Sequence, residues 1–251
     1  MKTFAAVCRA LELSKSSAQK ADGIAQYLSS ASDADIIWML AIFSGKRPAS
    51  VFSPASLKEY AMEMAGLPSW LFDECLGFTG DVSETIALIL PAPSSLKSIS
   101  LSEVMEVWRS MKAGDAATRK ELLFSLWNSM ETYERYVLNK LLTGAFRSTI
   151  PEGILCSALF HLTGIDEWKL RLRLQRNWSP DQITFQELVF KAVEKELLAK
   201  PFPWTTLTIY QAPLVELGNE DLWRVDIQPE GVRVQLIKEM AKFLSGVQPV
   251  I

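Results

Sequence analysis

The sequence predicts a mainly α protein: a multi-helical body over residues 1–200 and a short β-containing segment over 201–251. Three observations carry this. Apolar residues recur at helical spacing through most of the chain. Lys200-Pro201-Phe202-Pro203 then forbids helix continuation, because two prolines remove amide donors. Beyond it the residues are β-branched and roughly alternating, as in Thr205–Leu217 and the W-x-V-x-I…G-V-R-V run from Trp223, which reads as a strand pair around a Pro229-Glu230-Gly231 turn.

The helices follow in order. Phe4, Val7, Cys8, Leu11 and Leu13 form the first apolar stripe. A second helix spans about Ser16–Ser29, with Ile24, Tyr27 and Leu28 inward. Ser32 or Asp33 caps a third through Phe43, since either side chain accepts from free first-turn amides, and Gly45 ends it. Ser53-Pro54 opens the fourth, to Met64 and Gly66; Pro68-Ser69 opens the fifth, through Cys75; Asp81–Leu90 is the sixth. After the Pro/Ser-rich loop 91–100, Ser102 is the expected cap of a helix to Met111. Further helices cover Ala116–Ser129, Glu131–Leu142, Pro151–Thr163 and Thr184–Ala199. The charged run Asp166–Arg173 reads either as a helix, with Lys169, Arg173 and Arg176 on one face, or as a strand with its charges on one side.

Composition narrows the function. Hydrophobic residues at 49% and charged residues at 22% fit a globular core. The net charge of −3 is not that of a dedicated nucleic-acid binder, so any DNA contact must come from local basic patches. Cys8, Cys75 and Cys156 are isolated, with neither zinc spacing nor a disulfide framework. His161 is the only histidine and reads as a core or helix-end residue. No phosphate-binding loop of the G-x-x-x-x-G-K-[ST] or G-x-G-x-x-G type occurs. Apolar runs are too short to span a bilayer and no signal peptide is visible, so the expected location is cytoplasmic. The eight tryptophans sit mostly within apolar stripes and read as core packing, with Trp178 the least settled.

Longer motifs give a sharper reading. Phe43–Pro48, FSGKRP, is similar to the F-[ST]-G-[RK]-R-P segment of the helical DNA-binding domain in bacterial ATP-dependent DNA ligases. Gly66–Leu90 resembles that domain's G-L-P-x-W-L-F-E-E…G-D-x-A-E-T-I-A-L-L-L. Asn139–Gly144 with Phe146-Arg147 resembles N-K-L-L-T-G-G-F-R, and Arg173 through Pro180 resembles H-R-L-M-G-x-W-x-P. The motifs are in order, and Lys200–Pro203 matches the entry to the adenylation domain. The resemblance implies sequence-independent contact with double-stranded or nicked DNA, through Lys46, Arg47, Arg135, Lys140, Arg147, Lys169, Arg171, Arg173 and Arg176. DNA-repair proteins are further expected partners, and a membrane is not.

The departures matter equally. The family's nucleotide-attachment motif, E-x-K-x-D-G-x-R, is matched by Asp226, Gln228, Glu230, Gly231 and Arg233. Gln228 stands where the family has the lysine that attacks ATP. An amide nitrogen, its lone pair delocalised into the carbonyl, is no substitute nucleophile. No catalytic residue and no cofactor are therefore expected; ATP and Mg²⁺ belong to intact family members. Only 18 residues follow Arg233, so the later nucleotide motifs are not expected either. Near the presumed DNA approach, Ala145 replaces a glycine, Pro151 removes a donor and Glu152 adds a charge that phosphate repels. The expected function is a non-catalytic ligase-like protein binding duplex or nicked DNA in repair. The alternatives are the N-terminal part of a split or truncated ligase, or an interaction scaffold that has lost DNA binding.

Overall fold

The computed structural model describes residues 1–146, 150–191, 234–239 and 242–247. Two compact units divide at Lys191/Ala192. The first contains twelve helices among its described residues: α1 Lys2–Leu13, α2 Ser17–Ser30, α3 Asp33–Phe43, α4 Pro54–Ala65, α5 Ser69–Thr79, α6 Val82–Ile89, α7 Leu101–Ala113, α8 Ala116–Ser129, α9 Thr132–Thr143, α10 Glu152–Thr163, α11 Glu167–Leu174 and α12 Phe185–Phe190. The mainly α class is as the sequence predicts.

Most helix starts are fixed by side-chain caps. Ser16, Ser32, Ser53, Asp81 and Asp115 each accept a first-turn amide. Gly66, Gly80, Gly144 and Gly164 end α4, α5, α9 and α10 in the left-handed conformation. One cap differs from expectation. Ser100, not Ser102, caps α7, because Ser100 and Glu103 form a reciprocal capping box. The Ser102 amide instead donates to Asp35 Oδ1 at 2.7 Å, tying the start of α7 to α3.

Other boundaries shift for geometric reasons. Leu13 is exposed, because it points about 200° around the helix from Leu11 and leaves the buried stripe. The run at 167–174 is a helix, not a strand. Helix α12 stops at Phe190, and the rest of the expected Thr184–Ala199 helix falls mostly outside the described residues.

The centre of the first unit is α3. Every residue from Asp35 to Phe43 is buried, so this helix has no polar face and must be wrapped. Helices α7 and α12 pack on it. Phe43 meets Phe4 with ring centroids 5.6 Å apart and Phe146 at 6.3 Å.

A second buried feature is polar. Arg135 on α9 is 1% exposed. Its Nε donates to the Trp127 carbonyl at 2.7 Å, and an Nη reaches the Pro91 carbonyl at 2.9 Å and the Leu90 carbonyl at 3.5 Å. Beside it Trp127 Nε1 donates to Asn139 Oδ1 at 2.9 Å, and Asn139 Nδ2 to the Ser83 carbonyl at 3.3 Å. Helices α6, α8 and α9 and the loop at 90–91 are thus cross-linked by groups that no longer have water to bond.

In the second unit, β1 Val234–Glu239 and β2 Lys242–Val247 pair antiparallel, from Val234↔Val247 to Glu239↔Lys242. This hairpin lies later in the chain than the expected pair, whose Pro229–Gly231 turn is outside the described residues. Lys242–Val247 contains a serine and a glycine and alternates poorly, so β2 carries no strand signal in the sequence.

The buried arginine gives the first prediction. Arg135→Met should lower unfolding free energy by about 3 kcal/mol, since three carbonyls lose their donor at once. The solvated Lys169→Ala should stay within about 0.5 kcal/mol. Urea denaturation at neutral pH reads both.

Candidate nucleic-acid interface

The FSGKRP segment leaves the buried end of α3. Its first turn is closed by paired backbone bonds, Gly45 N–H to the Ile42 carbonyl at 3.2 Å and Lys46 N–H to the Ala41 carbonyl at 2.8 Å. Gly45 has φ 77°, which a side chain would strain. The Ile150 amide donates to the Phe43 carbonyl at 3.2 Å, and the amides of Val51 and Phe52 both donate to the Leu142 carbonyl. Segment 43–52 is therefore tied to Leu142 and Ile150, nearly a hundred residues further along the chain.

Lys46 connects this segment to α11. Its Nζ donates to the Arg176 carbonyl at 2.9 Å and lies 5.2 Å from the Trp178 ring centre. Trp178 is itself held by its Nε1 bond to the Leu174 carbonyl at 2.9 Å. Burial lowers the Lys46 pKa, partly offset by the Glu152 carboxylate. Glu152 accepts from Gln175 Nε2 at 2.9 Å. Lys46, Glu152 and Gln175, with Phe43 and Leu174 among the apolar walls, border a hollow of about 330 Å³.

A second hollow, of about 520 Å³, adjoins Phe146 and Ala145. Lys140 and Asp81 face it, with Lys140 Nζ donating to Asp81 Oδ2 at 2.6 Å and lying 5.2 Å from the Tyr136 ring centre. Burial works against the Lys140 charge, but Asp81 and Tyr136 outweigh it and raise its pKa. Burial likewise works against the Asp81 carboxylate. The Lys140 bond and the amides of Glu84 and Ser83 prevail and hold its pKa below the ordinary value.

The nine expected DNA contacts thus separate into groups. Arg135 and Arg173 are corrected: both are buried, and both donate to backbone carbonyls, Arg173 to Val189. Burial lowers the pKa of each. The sequence could not tell them from surface arginines, because a buried arginine bonded to main chain needs no partner of recognisable type. Lys140 and Lys169 are exposed in part but ion-paired, Lys169 to Asp166 at 2.6 Å. Arg47 lies over the Phe146 ring at 5.9 Å. Arg47, Arg171 and Arg176 have no ion pair among the described residues. Arg147 lies outside them, as do Asp226, Gln228, Glu230, Gly231 and Arg233. Sequence reasoning missed the latch of Lys46 on Arg176 and Trp178, since no spacing signal links positions 130 residues apart.

The model of a family described as DNA ligase N terminus matches residues 1–160. The chain belongs to that family. The match spans α1 to most of α10 and includes segment 43–52 with Leu142 and Ile150. No curated protein matches the chain. Within this ligase N-terminal domain no cluster of three or more metal-ligating side chains occurs among the described residues, and no described helix is long and apolar enough to cross a membrane. Cys8 and Cys156 are buried free thiols; burial pushes Cys156 up to about 12, so neither presents a reactive thiolate. His161 is exposed near the end of α10, its ring edge-on to Phe160.

Two outcomes test this geometry. If Lys46 acts through Arg176, Lys46→Met and Arg176→Gln should each flatten the salt dependence of DNA affinity by about 0.9 in log–log slope, and the double variant by about 0.9 too. Independent phosphate contacts would give about 1.8. Separately, a carboxylate with a depressed folded pKa contributes stability above its unfolded pKa, about 3.9, and loses it as pH falls through the folded value. The stability gap between wild type and Asp81→Asn should therefore hold from neutral pH to about 5 and shrink below about 4. Urea titrations across pH measure it.

Proposed function

We propose that this protein is a non-catalytic DNA-ligase-like protein that holds duplex DNA, including nicked DNA, without sequence preference, in DNA repair. The observation that carries the reading is that arginines 47, 171 and 176 have no ion pair among the described residues, Arg47 following Lys46 in the chain and Arg176 supplying the carbonyl that Lys46 holds. Half-exposed cations with no carboxylate partner suit phosphate contact, which is sequence-independent and salt-sensitive. Gln228 supports the non-catalytic part, since an amide cannot take up AMP.

A second reading is favoured by the family match itself, which is to the N-terminal part of ligases. Here the chain serves as the DNA-holding portion of an enzyme whose catalytic lysine is supplied elsewhere. One pair of measurements separates the readings. Titration of labelled nicked duplex should show binding at low salt with a log–log slope of about −2.7 or steeper, as three phosphate contacts require; no binding at low salt rejects both. Incubation with labelled ATP should leave this chain unlabelled, while label on a co-purifying chain supports the second reading.

A further inference from the structure

Helix α5 is barely embedded. Of its residues only Phe72 is buried, while Trp70 is 67% and Phe78 90% exposed. At 100° per residue, Trp70 and Gly77 fall at the middle of the outward face, Asp73 and Glu74 lie to either side, and Phe78 stands at one margin. A Cβ added at Gly77 would meet nothing within 4 Å, so the face is open there, and the i, i+4, i+8 spacing of Trp70, Glu74 and Phe78 sets one carboxylate between the two large aromatic rings. An aromatic ring left in water on a surface helix stabilises nothing in the monomer. Two on one short face are an unmet burial demand.

The surroundings say what would meet it. Residues 54–90 hold six carboxylates against the single Lys58, a net charge of −5 in a chain of −3 overall. Lys58 is bonded to Asp73 at 2.5 Å, Glu63 to Lys120 and Asp81 to Lys140. Glu74 and Glu84 are exposed and have no ion pair among the described residues. Such a field repels DNA. It also disfavours a second copy of the chain, because two acidic faces would oppose each other. It attracts a cationic partner, and exposed tryptophan and phenylalanine side chains are the anchors a partner helix can close on.

We propose that the outward face of α5 docks a basic amphipathic helix of another protein, its apolar side chains against Trp70 and Phe78 and its lysines or arginines against Glu74 and the other carboxylates of this acidic segment. Recognition of this kind needs apolar anchors beside charges of the opposite sign, and both are present. This surface is distinct from the arginine group at 47, 171 and 176, so the inference stands whether or not the chain binds DNA.

The test uses the full chain and a fluorescein-labelled synthetic peptide about five helical turns long, with leucine and alanine on one face and lysine and arginine on the other. Anisotropy should show saturable binding at low salt. Trp70→Ala, Phe78→Ala and Glu74→Lys should each weaken it about tenfold or more. Leu13→Ala, which removes an equally exposed apolar side chain elsewhere, should leave it unchanged. A twin peptide with glutamates in place of its cations should not bind. Absence of binding to the basic peptide, equal binding by Trp70→Ala, or equal binding of the acidic twin overturns the proposal. So does a concentration-dependent dimer of the free protein that Phe78→Ala abolishes, since the occupant would then be a second copy. The same variants titrated with nicked duplex should match wild type, which keeps the two surfaces separately testable.

Discussion

Helix α3 has no face to give to water. Nine successive residues, Asp35 to Phe43, are buried, and no rotation of such a helix exposes a polar stripe. The rest of the first unit must therefore enclose it, as α7, α12 and the Phe4 and Phe146 rings do. Each large side chain so covered contributes on the order of 1.5–3 kcal/mol before its lost freedom is counted. The location of the FSGKRP segment follows directly. It begins at the C-terminal residue of the most enclosed helix, and its first turn is closed by two backbone bonds onto that helix. The half-buried arginine at 47 is thus carried on a segment bonded directly to the most enclosed helix.

Helix existence was legible because its determinants are local. A serine or aspartate before an apolar run, and a glycine after it, act within a few residues and read directly as capped ends. Where reading went astray, the deciding contact was distant. Ser102 looked like a cap until Asp35 claimed its amide. Arg135 and Arg173 looked like DNA contacts, although their guanidinium groups face main-chain carbonyls of other helices and of the loop at 90–91. Lys46 looked like a phosphate ligand, yet its ammonium rests on Trp178 and a carbonyl of the 174–178 turn. Charge is visible in a sequence; what neutralises it or solvates it usually is not.

The acidic overall balance and the basic segments are reconciled by distribution. Carboxylates concentrate on α4–α6, and several are consumed by lysines that the sequence alone would have counted as basic surface. Asp81 is the clearest case, at once the cap of α6 and the counter-ion of Lys140 on α9. A helix cap there doubles as an electrostatic setting of the neighbouring hollow.

The Lys46 bond to residue 176 reaches the main chain and ignores the side chain. Every amino acid presents the same carbonyl at that point, so the contact is indifferent to what stands at 176. The donor has no such latitude, because a shorter or neutral side chain would reach neither the carbonyl nor the Trp178 face. Architecture and chemistry are thereby decoupled at a single residue. Position 176 is free to drift between cation, neutral and acid without disturbing the turn that displays it, and a lineage can retune that surface one substitution at a time while the scaffold stays in place.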